Sequence, residues 1–112
     1  MALPTVSFLL TAYQHAPFVG DAVRCVLAQD YQPLEIILSD DGSSDGTFDI
    51  IEEVASEYQG AHTVVVNRND ENLGEPEHVN KLVGLARGNI LIIGHGDDLA
   101  MPQRTRRLVE SL

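Results

Sequence analysis

EIILSDDGSSDGTFDIIEEV, residues 35–54, decides between two folds. Read from Asp41, it matches the twelve-residue calcium loop of a helix–loop–helix hand. Asp41, Ser43 and Asp45 fall at positions 1, 3 and 5, Gly46 at 6 and Glu52 at 12. Such a loop needs an incoming helix, and calcium hands usually come in pairs. What enters here is Leu34–Ser39, "LEIILS", short, apolar and β-branched, bounded by Pro33 and an acid–glycine turn; that is a buried strand. No second loop of this kind exists in the chain. The stretch is therefore strand, turn, helix. Ser44 or Asp45 is the expected cap, and Ile50, Ile51, Val54, Ala55 and Tyr58 repeat at helical period behind it.

The same alternation extends in both directions. "TVSFLLTAY" (Thr5–Tyr13) reads as a strand buried on both faces. Pro17 opens a helix whose apolar face takes in Phe18, Ala22, Cys25 and Val26, and Tyr31 and Pro33 end that element. "HTVVVN" (His62–Asn67) is a third strand. The polar loop "RNDENLGEP" then leads to a helix with Val79, Leu82, Val83 and Ala86 inside and Gly88 as its stop. "NILIIG" (Asn89–Gly94) is a fourth strand, and a basic helix starts near Gln103. Strands alternating with helices predict an α/β fold of three layers, a mainly parallel sheet between helices. There is no repeat, low-complexity tract or linker, and 112 residues fit one domain.

Composition narrows the function. With 44% hydrophobic residues the chain can build a core. A net charge of -10, with Lys81 the only lysine, argues against a nucleic-acid partner. Arg104, Arg106 and Arg107 are too small a cluster to change that, and read as a solvated helix face or a partner surface. Cys25, the single cysteine, reads as core; it permits no intrachain disulfide and suits a reducing, cytoplasmic setting. The opening "MALPTVSFLLTAY" has no basic lead and reads as a strand rather than a signal peptide, and no segment is long enough for a membrane span.

Open parallel sheets bind ligands beyond the carboxyl ends of their strands. The four exits are "TAYQH", "SDDGSSDGT", "NRNDENLG" and "GHGDD", all polar or turn-rich, two with an Asp pair. Asp40 leaves directly from a buried strand, and a carboxylate there can accept from the imide or amino edge of a base. Asp41 orders the turn and Asp45 caps a helix. The tension between adjacent acids is expected to be relieved by hydrogen bonds rather than a cation. Asp97 and Asp98, flanked by glycine, suit a hard divalent ion with oxygen ligands, magnesium or manganese, bridging to a diphosphate. His95 adds either a nitrogen ligand or a ribose contact. Gly74 lets backbone approach a ligand at a helix start, where anions are favoured. His15, His62 and His78 are scattered and carry no assignment.

In this order the pieces resemble the N-terminal, nucleotide-binding half of a family 2 glycosyltransferase with the GT-A fold. The resemblance runs from "PTVSFLLTAYQHAPFVGDAVRCVLAQDYQPLEIILSDDGSSDGT" through "DENLGEPEHVNKLVGLARGNILIIGHGDDLAMPQRTRRLVE". It implies that Thr11, Ala12 and Tyr13 line a nucleoside, Asp40 binds the base and Gly74 lies near the nucleotide. It also implies that His95 stands at the ribose and that Asp97 and Asp98 hold Mn2+ or Mg2+. The implied reaction is inverting transfer from a nucleoside-diphosphate sugar to a hydroxyl of a sugar, lipid or protein acceptor, in cell-wall or polysaccharide biosynthesis. A homodimer is a further expectation.

The departures are specific. Thr11-Ala12-Tyr13-Gln14 replaces the family's Pro-Thr-Tyr-Asn, His95 replaces the first acid of its metal motif, and Val79 stands where an arginine is usual. The family's acceptor half and base would lie beyond Leu112, so the chain is expected to be a fragment, inactive alone, of a parent located in the cytoplasm or at the cytoplasmic face of a membrane. Two other readings are a non-catalytic nucleotide-binding or assembly module, favoured by His95, and a receiver-type signalling domain. The latter needs an acid after the first strand and a lysine after the last; "TAYQH" has no acid and Lys81 lies within a helix.

Overall fold

The computed structural model describes residues 3–112. Its elements alternate as β1 (Val6–Ala12), α1 (Ala16–Leu27), β2 (Leu34–Asp40), α2 (Thr47–Glu57), β3 (Thr63–Arg68), α3 (Glu75–Leu85), β4 (Ile90–His95) and α4 (Arg104–Glu110). The strands form one parallel sheet in the order β3-β2-β1-β4. β1 and β2 are buried along their whole length, as unbroken apolar runs require, whereas β3 and β4 are the outer strands and are partly exposed.

Strand periodicity sorts the side chains to two faces. Val6, Phe8, Leu10 and Ala12 of β1 and Leu34, Ile36 and Leu38 of β2 pack with α1, α2 and Val109 of α4. Leu9 and Ile37 point the other way and meet Leu82 and Ala86 at α3. The result is the expected three-layer arrangement. Among the described residues no helix is long and apolar enough to cross a membrane.

Helix phases differ from the sequence reading in two places. In α1 the buried residues are Val19, Ala22, Val23, Val26 and Leu27; Phe18 is exposed and Cys25 only packs against the core edge. In α3 the buried face is His78 and Leu82, four residues apart, so Val83 turns outward. That helix ends at Leu85, before Gly88. Gly88 instead lies against β1, where a Cβ would stand 2.6 Å from the Ser7 nitrogen.

The helix starts are capped across loops. Gly46, in the left-handed region, occupies the N-cap of α2, not Ser44 or Asp45. The Asp45 carboxylate still accepts the N–H and hydroxyl of Thr47 at that start, and it also accepts the Ala16 N–H (3.1 Å) at the start of α1. Thr47 Oγ1 accepts the His15 N–H at 2.9 Å. One loop thus satisfies orphan donors of two helices. These bonds, the Thr47 hydroxyl first, hold the Asp45 carboxyl below the ordinary carboxylate range.

Candidate functional site at the strand exits

The four strands end in register. Thr11 pairs with Ser39 and with His95, and Ser39 pairs with Asn67. Register and alternation therefore lay His95, Thr11, Ser39 and Asn67 in one polar row across the α3 side of the sheet. Two side chains of α3, three residues apart and so on one face, reach down to it. Glu75 accepts the Thr11 hydroxyl at 2.7 Å, and His78 Nε2 lies 2.7 Å from the Ser39 hydroxyl, which also accepts from Asn67 Nδ2 at 2.9 Å. Ser39 and His78 are buried, and burial pushes the His78 imidazole below its ordinary pKa despite nearby Asp41 and Glu75.

Asp40 and Asp41 divide their work. Asp40 has no exposed surface; its carboxylate accepts the Ser43 N–H (2.8 Å) and hydroxyl (2.5 Å). The Ser43 hydroxyl in turn accepts the Gln14 N–H at 2.8 Å, joining the exits of β1 and β2. A base could reach Asp40 only with Ser43 displaced. Asp41 points to the third exit. It accepts Asn69 Nδ2 (2.9 Å), Asn72 Nδ2 (3.1 Å), the Leu73 N–H (2.8 Å) and the Gly74 N–H (3.0 Å). Burial alone would raise its pKa, but the Leu73, Asn69 and Gly74 bonds outweigh that and hold it below the ordinary range. Hydrogen bonds therefore relieve the tension of the acid pair, and Asp41 orders the loop from 69 to 74 rather than only its own turn.

The last exit carries the open acids. The Gly96 N–H donates to the Thr11 carbonyl at 2.8 Å, which seats the loop beside β1. Asp97 and Asp98 are exposed. His15 Nε2 stands 4.0 Å from an Asp97 oxygen, and His15 Nδ1 accepts the Tyr13 N–H at 3.4 Å. No cluster of three or more His, Cys, Asp or Glu groups able to hold a metal occurs among the described residues. Two exposed carboxylates nevertheless fit the donor set of magnesium-type ions, which take one or two carboxylates and complete their shell with water and phosphate oxygens.

The downstream end of this loop is clamped by the segment that follows α1. Buried Gln29 accepts the Thr105 N–H (3.0 Å) and hydroxyl (2.7 Å) and donates to the Met101 carbonyl (2.8 Å), while the Asp30 N–H donates to the Pro102 carbonyl (2.8 Å). The basic helix is also less free than its composition suggests: Arg104 lies 5.7 Å over the Phe8 ring and Arg106 pairs with Asp30 and Glu110.

The structure thus brings Thr11, Ala12, Tyr13, Asp40, Gly74, His95, Asp97 and Asp98 to the four strand exits. Glu75, Gln29, Ser43 and His78 escape a sequence reading. Glu75 alone left a signal, since it follows Gly74 at a helix start that the topology aims at the same edge.

A parallel α/β sheet with a polar, acid-bearing rim at its strand exits defines an open α/β domain, a class whose ligands bind at that edge. The comparisons with known proteins carry that one step further. The family model described as "Glycosyl transferase family 2" matches residues 7–112, and the chain belongs to that family. It is 29% identical over 109 residues to a putative glycosyltransferase, EpsE, of Bacillus subtilis, covering 97% of this chain and 38% of that protein. It is 30% identical over 108 residues to the succinoglycan biosynthesis protein ExoO of Rhizobium meliloti, covering 96% of this chain and 30% of that one. Among solved structures, the mannosyltransferase PcManGT of Pyrobaculum calidifontis, in complex with GDP-Man and Mn2+, superposes with a TM-score of 0.84 at 25% identity, covering 97% of this chain and 31% of that one. S. aureus TarS in complex with UDP-GlcNAc, at 19% identity and a TM-score of 0.80, shares the fold; it covers 95% of this chain and 30% of that one. The chain spans roughly a third of the length of these relatives.

Proposed function

We propose that this chain is the donor-binding part of an inverting, divalent-metal-dependent glycosyltransferase. The observation that carries the reading is the convergence of all four strand exits on one rim, in a chain whose family acts on sugars. The nucleoside lies against Thr11, Ala12 and Tyr13, with Asp40 reading its base once Ser43 moves aside. Gly74 lets the backbone at the start of α3 approach the nucleotide. Asp97 and Asp98 would hold Mn2+ or Mg2+, which supplies positive charge against a departing diphosphate. PcManGT, solved with GDP-Man and Mn2+, supports both the donor class and the metal. ExoO and the putative teichuronic acid glycosyltransferase TuaG of Bacillus subtilis, by their names, support an acceptor within polysaccharide or cell-wall synthesis. No residue of this chain is assigned as the base that deprotonates the acceptor. A second reading, a nucleotide-binding module without turnover, draws on His95 standing where the family has an acid.

Calorimetry with UDP, GDP and dTDP, with and without manganese, tests the proposal. At least one nucleotide should bind more tightly with metal, and Asp97→Ala should remove that metal dependence while exposed Asp21→Ala keeps it. Binding by none of the three, in this chain and in a longer parent, overturns it.

A further inference from the structure

Three groups meet at the junction of β1, β4 and α3. Thr11 Oγ1 lies 2.7 Å from Glu75 Oε1 and 3.1 Å from His95 Nδ1, and Nδ1 is 3.7 Å from the same carboxylate oxygen. Thr11 is buried, at 1% exposure, so its hydroxyl has little access to water and depends on these partners. The proton count then has one solution. An ionised carboxylate only accepts, and a hydroxyl has a single hydrogen. The Thr11 hydrogen therefore goes to Glu75. The contact between Thr11 Oγ1 and His95 Nδ1 must take its hydrogen from the ring, so Nδ1 carries the proton. In the neutral imidazole that leaves Nε2 bare, a hydrogen-bond acceptor. Nε2 has no partner among the described residues.

His15, on the neighbouring exit, is set the opposite way. Its Nδ1 accepts a backbone N–H, so its Nε2 carries the hydrogen that faces Asp97. The two histidines of the rim thus differ in what they offer a ligand: one donates, the other accepts.

We propose that Glu75 and Thr11 are positioning residues that hold His95 in the Nδ1–H tautomer, so that its Nε2 accepts a hydroxyl hydrogen from the ribose of the donor nucleotide. The naming of the ribose rests on the donor-binding reading above; the tautomer does not. Position 95 carries no carboxylate, and the relay gives it an acceptor by borrowing the charge of Glu75 through one buried hydroxyl. The arrangement also explains why an acid sits at the first position of α3 although it caps nothing itself.

The test has two readouts. Long-range proton–nitrogen spectra of the chain labelled with 15N-histidine are recorded at about pH 8, above the ordinary histidine pKa near 6.5. The His95 signals are assigned by their loss in His95→Phe. Wild type should show Nδ1 protonated and Nε2 bare. In Glu75→Ala the freed Thr11 hydroxyl donates to Nδ1, which should move the proton to Nε2; Thr11→Val leaves Glu75 3.7 Å from Nδ1 and should move it only in part. An Nε2–H tautomer in wild type, or an Nδ1–H tautomer unchanged in both variants, overturns the inference. Calorimetry then compares uridine or guanosine diphosphate with its 2′,3′-dideoxy form. Wild type should lose roughly 3- to 10-fold in affinity, the worth of one hydrogen bond, and His95→Phe, which has no ring nitrogen, should lose most of that discrimination. Equal discrimination in wild type and His95→Phe overturns the ribose assignment. Absence of all nucleotide binding overturns the donor-binding reading and with it the ribose, whereas a wrong tautomer with intact binding overturns this inference alone.

Discussion

Asp41 and Gly74, 33 residues apart in sequence, are joined directly: Asp41 Oδ2 accepts the Gly74 N–H at 3.0 Å, and Oδ1 accepts the Leu73 N–H at 2.8 Å. One buried carboxylate at the end of β2 therefore sets the backbone that starts α3, and through it the reach of Glu75 and His78. Asp41→Ala strands both amides and the side chains of Asn69 and Asn72. It should cost about 2–4 kcal/mol, read from urea denaturation. The folded pKa of Asp41 lies below the ordinary 3.8, so its contribution is present above that value and is lost as pH falls through the lower folded value. The acid loss of stability in that window should shrink in Asp41→Ala.

Gln29 performs a comparable task for the acidic loop. Its amide oxygen takes both donors of Thr105 and its nitrogen holds the Met101 carbonyl, so the segment after Asp97 and Asp98 is fixed at its far end. Gln29→Leu keeps the bulk but removes every one of these bonds. The expected result is a loss of about 1–3 kcal/mol and faster hydrogen exchange at the Thr105 amide. Metal-dependent nucleotide affinity should fall while metal-independent affinity changes less. Equal losses in both would assign Gln29 to stability alone.

Much of this architecture was legible in residues 35–54, because a strand feeding a glycine–acid turn excludes the calcium loop and sets the β-α alternation. Local patterns do not carry long-range partners, however. Nothing in "SDDG" says that Asp41 bonds to residues 69–74 while Asp40 stays with Ser43. The apolar pattern also misplaced α3 by one position, since it counts Val83 as core and skips His78, a polar residue buried because Ser39 and the sheet rim receive its ring. Phe18 shows that hydrophobicity is not position: it lies on the outward face of α1, one residue before fully buried Val19. The Glu75–Thr11–His95 junction combines three chain segments and needed coordinates.

His78 should make stability depend on pH above the carboxylate range. Burial lowers its folded pKa below 6.5, so the unfolded chain takes up a proton first as pH falls. The stabilisation is full above about 6.5 and declines as pH drops from there through the folded value. His78→Gln retains a hydrogen-bonding side chain without a titrating ring. Urea midpoints at about pH 7.5 and about pH 5 should differ more in wild type than in the variant.

Gly88 and Gly84 should respond oppositely to the same substitution. A Cβ at Gly88 would meet the Ser7 nitrogen at 2.6 Å, Ser7 Oγ at 2.7 Å and the Val6 carbonyl carbon at 2.8 Å. Two of these are backbone atoms of the buried strand β1, and the third is the hydroxyl that accepts the Gly88 N–H and donates to buried Glu35. None can retreat without opening the sheet. Gly88→Ala should therefore cost about 1–3 kcal/mol, as overpacking does. At Gly84, within α3, nothing lies inside 4 Å of the added carbon. Gly84→Ala should stabilise by about 0.5–1 kcal/mol through helix propensity. Urea melts of the two variants side by side check the pair, and a neutral Gly88→Ala would mean that the entry into β4 stands further from β1 than the structure places it.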